Sequence, residues 1–235
     1  KYKEYIRKYK INNLVETEYI IEKQRMIKDE DEIKNIQKAC EITDNCFSYL
    51  LEYIKPGMTE KQIAREIEEY YRDRTDGLSF ETIVASGENT SKPHAVPTDR
   101  KIQEKDIITI DMGCKVNGYC SDMTRTFYCK SVDEEQAAIH DLVRTAVEKA
   151  EAIIKPGVRF CDIDAQARDL IGEAGYGEYW KIRLGHFIGQ EDHEYGDVSP
   201  INKNVAEPGM IFSIEPGIYI EGKYGVRIED LVLVT

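Results

Sequence analysis

The sequence predicts an α+β fold made of two copies of one helix-helix-hairpin unit, related by a pseudo-twofold axis, and three observations predict it. The tetrapeptide Ile54-Lys55-Pro56-Gly57 recurs as Ile154-Lys155-Pro156-Gly157, an offset of 100 residues. The next helix keeps that offset, with apolar positions Ile63, Ile67, Tyr70 and Tyr71 matched by Ile163, Ala167, Leu170 and Ile171. Each copy then ends in β-rich sequence around a turn and carries two carboxylates, Asp111 and Asp122 in the first, Glu215 and Glu229 in the second. Self-similarity at a fixed offset marks a supersecondary unit that buries its apolar face against neighbouring elements.

Composition sets the outer bounds. At 235 residues, with 41% hydrophobic and 32% charged side chains, the chain can bury a substantial core as one large domain or two small ones. A formal charge of -12 excludes a sequence-independent grip on nucleic acid, which needs clustered cations. No run of about 18 apolar residues would cross a membrane, and the lysine-rich start lacks the apolar stretch of a signal peptide. The expected location is cytoplasmic. Cys40, Cys46, Cys114, Cys120, Cys129 and Cys161 form no Cys-x-x-Cys pair and are expected to be free thiols.

The elements follow in order. Lys1 to Lys10 reads as a charged helical tail, and Glu18 to Met26 as extended. Asp29 with Glu32 is a capping-box start, after which Ile33, Ile36, Cys40, Phe47, Leu50, Leu51 and Ile54 recur at helical spacing until Pro56-Gly57. Thr59 with Gln62 opens a second helix, closed by Asp76-Gly77. Strand-like sequence from Phe80 to Ala85 leads into a polar loop, Ser86 to Arg100, that holds Pro93-His94 and Pro97. Ser131 with Glu134 is the expected start of a third helix, which runs to Ile154 and carries His140 on its surface.

The first hairpin turns at Asn117-Gly118, the strongest short-range signal for a two-residue type I′ turn. That turn sets the register. Asp111 then lies opposite Thr124, and Asp111 and Asp122 are diagonal neighbours on one face. In the second copy a two-residue turn would put Glu215 and Glu229 on opposite faces, whereas a three-residue loop centred on Gly222 makes them cross-strand partners. The odd-length loop is expected.

Four carboxylates with apolar β-rich flanks cannot share a pocket unless cations neutralise them. His94, His186 and His193 lie in polar or glycine-bearing loops, where functional side chains are usually held. A mixed nitrogen and oxygen donor set suits divalent ions such as Mn, Co, Zn or Fe.

These residues lie in ordered motifs: Ile-Thr-Ile-Asp111-Met-Gly, Ser-Asp122-Met-Thr-Arg, Gly-His186-Phe-Ile-Gly, Ser-Ile-Glu215-Pro-Gly and Arg227-Ile-Glu229-Asp. Over roughly residues 24 to 235 the chain resembles the pita-bread (creatinase/aminopeptidase) metallopeptidases of family M24. The Arg227-Ile228-Glu229-Asp230 run is similar to the prolidase and Xaa-Pro aminopeptidase branch. The resemblance implies two divalent metal ions, Mn foremost, with Asp111 on one, His186 and Glu215 on the other, and Asp122 and Glu229 bridging. It implies catalytic roles for His94, His193 and Glu215, and substrate contacts from His94, His193 and Arg227. Residues 28–235 would be the catalytic domain, and 1–27 a tail or the remnant of an upstream domain. The implied substrate is a short peptide cut at its first bond, with no nucleic-acid or membrane partner; a homodimer stays open.

Three departures bear on the substrate pocket: Ile182 stands where that branch commonly has a histidine, Phe187 replaces a glycine, and Tyr195-Gly196-Asp197 follows His193-Glu194 in place of a Pro and Arg run. A methionine-aminopeptidase-like enzyme, and a binding module on the same fold, remain the alternatives.

Overall fold

A computed structural model describes residues 2–10, 17–180 and 182–235. Two short helices, α1 (Tyr2–Tyr9) and α2 (Ile20–Met26), precede the first copy. Glu18 to Met26 is therefore largely helical, not extended. Nothing local announces α2, since its N-cap Tyr19 has φ 58 and offers no side-chain cap. Tertiary packing holds it: Met26 enters the core, Ile27 bridges to Met210, and the Lys28 N–H donates to Gly209 O at 2.8 Å. These contacts join residues 26–28, on both sides of the expected boundary, to the second copy.

The first copy contains α3 (Glu30–Tyr53), α4 (Glu60–Arg72), β1 (Gly77–Leu78), β2 (Ile83–Ser86), β3 (Ile107–Met112), β4 (Cys114–Val116), β5 (Tyr119–Cys120) and β6 (Met123–Tyr128). Both expected capping boxes form, Asp29 with Glu32 on α3 and Thr59 with Gln62 on α4. The second copy contains α5 (Glu134–Ala152), α6 (Phe160–Glu173), β7 (Gly185–Phe187), β8 (Glu194–Val198), β9 (Ile211–Ile214), β10 (Gly217–Ile220), β11 (Tyr224–Arg227) and β12 (Asp230–Leu233). Here Asp133, not Ser131, caps α5 by accepting from the Gln136 N–H at 2.8 Å. Both residues satisfy the spacing rule, and the choice between them falls to where the chain leaves β6.

The duplication extends to backbone bonds. Gly57 N donates to Ile102 O and Gly157 N to Ala206 O, each at 2.8 Å. Thr59 pairs with Lys101, and Arg159 with Val205. Each copy has its own core. Ile63, Ile67, Tyr71, Ile108 and Ile110 belong to one, Ile163, Ala167, Ile171, Phe212 and Ile214 to the other. Burial on this scale, at about 25 cal/mol per Å² of apolar surface, is the main force holding each helix pair on its hairpin.

Both hairpins keep the expected register, and both are broken in the middle. Asn117 (φ 50) and Gly118 (φ 80) form the tight turn, and Asp111 pairs with Thr124. The ladder splits around Gly113, so that β3 and β6 join β2 while β4 and β5 join β1. Glycine is needed there because a Cβ would lie 2.0 Å from Ser121 O. In the second copy the pairing Ile220 with Tyr224 leaves the three-residue loop centred on Gly222. The same register resumes beyond the break with Asp230 opposite Ile214, so Glu215 and Glu229 face each other at the break.

Candidate active site

The two hairpins meet at their breaks. Thr126 Oγ1 donates to Arg227 O at 2.8 Å, and the Glu229 N–H donates to Thr124 O at 3.1 Å. Strand alternation then points Asp111, Asp122, Glu215 and Glu229 into the space between the copies. His186 arrives on β7, which approaches β9 so closely that a Cβ on Gly185 would lie 1.8 Å from Ser213 O. The His186 Nε2 stands 3.4 Å from both Asp122 Oδ2 and Glu215 Oε1, and 3.9 Å from Glu229 Oε1.

The five expected ligands form two groups of potential ligand atoms, Asp111, Asp122 and Glu229 in one and His186, Glu215 and Glu229 in the other, with the atoms of each group within 4.8 Å of one another. All eight residues singled out from the sequence line one cavity of about 580 Å³. His94 and His193 stand exposed at it, and the His193 ring packs edge-on against that of His186 with centroids 4.0 Å apart.

The electrostatics of this cluster are those of a site built for cations. Asp111 Oδ1, Asp122 Oδ1 and Glu229 Oε1 are buried with no hydrogen-bond partner. Orphaned carboxylate oxygens are rare in native interiors and call for an ion or a proton. Burial, followed by the Glu229 charge, pushes Asp122 well above the usual carboxylate range. Burial and Glu215 do the same to Glu229. Glu215 is raised by burial to about 7. Burial lowers His186 to about 3, with the neighbouring His193 second, so its ring is neutral. The 3.2 Å contact from Nδ1 to Phe187 O assigns the proton to Nδ1, which leaves the Nε2 lone pair facing the carboxylates. Oxygen-rich, neutral-imidazole, with orphaned acceptors, the donor set fits divalent cations.

Arg227, expected to touch substrate, lines the cavity but is 4% exposed, and its guanidinium is bonded within the protein: to Asp111 Oδ2 (2.6 Å), Thr124 Oγ1 (3.0 Å), Tyr219 Oη (2.8 Å) and Pro93 O (3.1 Å). It orients Asp111 and ties the His94 loop to the second hairpin. His140 is half-buried, not a surface residue, and its Nε2 lies 2.9 Å from Thr126 O. Of the three departures, only Ile182 lines the cavity. Phe187 is fully buried against Phe160 and Phe212, and Tyr195 stacks on Tyr19 outside.

Three further residues, Thr124, Ser213 and Asp192, contribute to the site. Thr124 Oγ1 donates to Glu229 Oε2 at 2.7 Å, and Ser213 Oγ donates to Glu215 Oε1 at 3.1 Å while accepting from the His186 N–H. Both were within reach of the register: Thr124 is directly opposite Asp111, and Ser213 shares a strand face with Glu215. Asp192 also joins, with an oxygen within 4.8 Å of ligand atoms of Asp122 and His186.

Fold and site together define a metallopeptidase of the pita-bread class. The model of metallopeptidase family M24 matches residues 34–235, and the chain belongs to that family. It is 42% identical to an uncharacterized peptidase of Staphylococcus aureus over 99% of its own length and 67% of the relative's. Among solved structures it superposes on a prolidase from Pyrococcus furiosus with TM-score 0.90 and 40% identity, covering 92% of this chain and 64% of that one. For an X-Pro aminopeptidase from Thermotoga maritima the values are TM-score 0.92, 37% identity, 99% and 66%. The chain thus spans about two thirds of the length of these relatives.

Proposed function

We propose that the chain is the catalytic part of a dinuclear metal-dependent peptidase that hydrolyses the first bond of short peptides, of the Xaa-Pro type. The observation that carries this reading is the convergence, from both copies, of five ligand side chains on one cavity, three of them with an orphaned buried oxygen. Asp111 would hold one cation, His186 and Glu215 the other, and Asp122 and Glu229 both. Mn fits so oxygen-rich a set best, with Co, Zn or Fe as alternatives. When bound, two such ions lower the pKa of a water and polarise the scissile carbonyl.

The protein's own groups do the rest. Glu215, its Oε1 steadied by Ser213, takes a proton from the attacking water and passes it to the leaving amine. His94 and His193, on opposite loops at the cavity, donate hydrogen bonds where the carbonyl oxygen gains charge, roughly 2.7 to 4 kcal/mol for one such donor. Ala64, Phe80, Val96, Pro97 and Ile182 supply apolar wall for the residues flanking the bond, and the cavity volume is right for a short peptide. The six free cysteines agree with a cytoplasmic location.

Ile182 offers an Xaa-Pro dipeptide no hydrogen bond, so tripeptides, which gain more contacts along the wall, are the better substrates. Mn-loaded and Co-loaded protein assayed on Xaa-Pro dipeptides, Xaa-Pro-Xaa tripeptides and Met-Ala-Xaa peptides tests this. Turnover highest on Xaa-Pro-Xaa is expected. Efficient cleavage of dipeptides alone would overturn the assigned preference, preference for Met-Ala-Xaa would move the chain toward methionine aminopeptidases, and no turnover at all would contradict the peptidase reading.

A further inference from the structure

We propose that Asp192 is a sixth side chain of the metal centre, an additional carboxylate donor on the side of His186 and Asp122; the proposal rests on the two-cation reading above.

Asp192 lies on the short link between β7 and β8, which folds back over His186. That link is pinned. Glu194 Oε1 accepts from the Gln190 N–H at 2.9 Å, and the Glu194 side chain, itself buried, is held by Arg25 at 2.5 Å and Lys28 at 3.2 Å. The position of Asp192 is therefore set by an anchored turn and two cations from the segment at α2. Its carboxylate lines the same cavity as the five expected ligands.

Two observations give that carboxylate a cation to bind. A ligand oxygen of Asp192, one of Asp122 and a ring nitrogen of His186 all lie within 4.8 Å of one another. Asp192 Oδ1 and Asp122 Oδ1 are each buried with no hydrogen-bond partner, and Asp122 is 7% exposed. Facing carboxylates with orphaned oxygens repel when both are ionised, and either a shared proton or a cation between them relieves that repulsion. Among the described residues no Lys or Arg forms an ion pair with Asp192; the basic atoms near it are those of two imidazoles, the His186 ring nitrogen of that group and His193 Nε2, at 3.8 Å from Oδ2.

Charge balance points the same way. With Asp192 counted, five carboxylates converge on the site, set against one buried guanidinium, Arg227, an excess of acidic groups that divalent cations would offset. The added oxygen donor makes the set harder, which favours Mn over Zn.

Isothermal titration of the chelator-stripped full chain with Mn tests the assignment on wild type, Asp192→Asn, Asp192→Ala and Glu191→Gln. Glu191 is an exposed neighbour on the same link and serves as the control. Wild type is expected to bind two Mn. Both Asp192 variants are expected to weaken one site about ten- to hundredfold and to lose more affinity for Mn than for Zn, with Glu191→Gln unchanged. An unchanged melting temperature in EDTA verifies that each variant folds. Two Mn sites of wild-type affinity in both Asp192 variants would overturn the proposal alone, including the case in which only KM for peptide rises and Asp192 is a substrate contact. A wild-type chain that binds no Mn would overturn the two-cation reading and this proposal together.

Discussion

Arg227 joins three parts of the site through one guanidinium: the Asp111 carboxylate, the Thr124 hydroxyl that also serves Glu229, and the carbonyl of Pro93 beside His94. Replacing it with methionine leaves Asp111 buried without its counter-charge. The expected loss is about 3 to 5 kcal/mol, measured by urea denaturation of the metal-free protein; a loss within the error of the wild-type curve would contradict the hub role. His140→Ala should cost about 1 kcal/mol through the unpaired Thr126 carbonyl, with kcat unchanged. Glu215→Gln should lower kcat by at least about a hundredfold while the fold survives, and a variant that keeps wild-type turnover would remove Glu215 from proton transfer. Legibility at this scale depended on where a residue's partners lie. Asp111, Asp122, His186, Glu215 and Glu229 were readable because each stands in a short motif whose spacing constrains it. The burial of Arg227 and His140, and the place of Asp192 beside Asp122, depend on contacts between elements far apart in sequence, which no local pattern records.

The hairpins translate turn chemistry into site geometry. Asn117 and Gly118 both have positive φ, which is what a type I′ turn requires, and a β-branched residue tolerates it poorly. Gly118→Val should therefore destabilise by about 1 to 2 kcal/mol and weaken metal binding, since a register slip would turn Asp111 away from Asp122; unchanged melting would show that the turn does not set the register. The turn and the three-residue loop at Gly222 were legible because their signals are local. The breaks at Gly113 and before Glu229 were not, because they arise from the approach of one strand to another, as at Ser121 O. The helix α2 escaped for the same reason: its hold on the molecule is Met26 in the core and the Arg25 and Lys28 pairs with Glu194.

At the scale of the whole molecule, two folded copies each contribute half of an acidic site that neither can neutralise alone, so metal and stability are linked. Glu215 has a folded pKa of about 7 against an ordinary 4.5. In the metal-free chain its stabilising contribution is complete below pH 4.5 and is lost as pH rises to about 7, because the folded state binds the proton more tightly. Asp122 and Glu229 are shifted in the same direction. Melting in EDTA should accordingly fall from pH 5 to pH 7.5, the fall should be smaller in Glu215→Gln, and Mn should restore the loss at the upper pH by replacing protons. A melting temperature that rises over that range equally in both proteins would contradict the shift. Duplication was legible in the Ile-Lys-Pro-Gly repeat, yet the seam between the copies, through Thr126 and Arg227, was not. The central claim is that this seam holds two cations. Anomalous difference maps from crystals grown with Mn test it most directly: the account predicts two peaks, one against Asp111 and one against His186 and Glu215, both touching Asp122 and Glu229. No peak among these side chains in Mn-saturated crystals would contradict it.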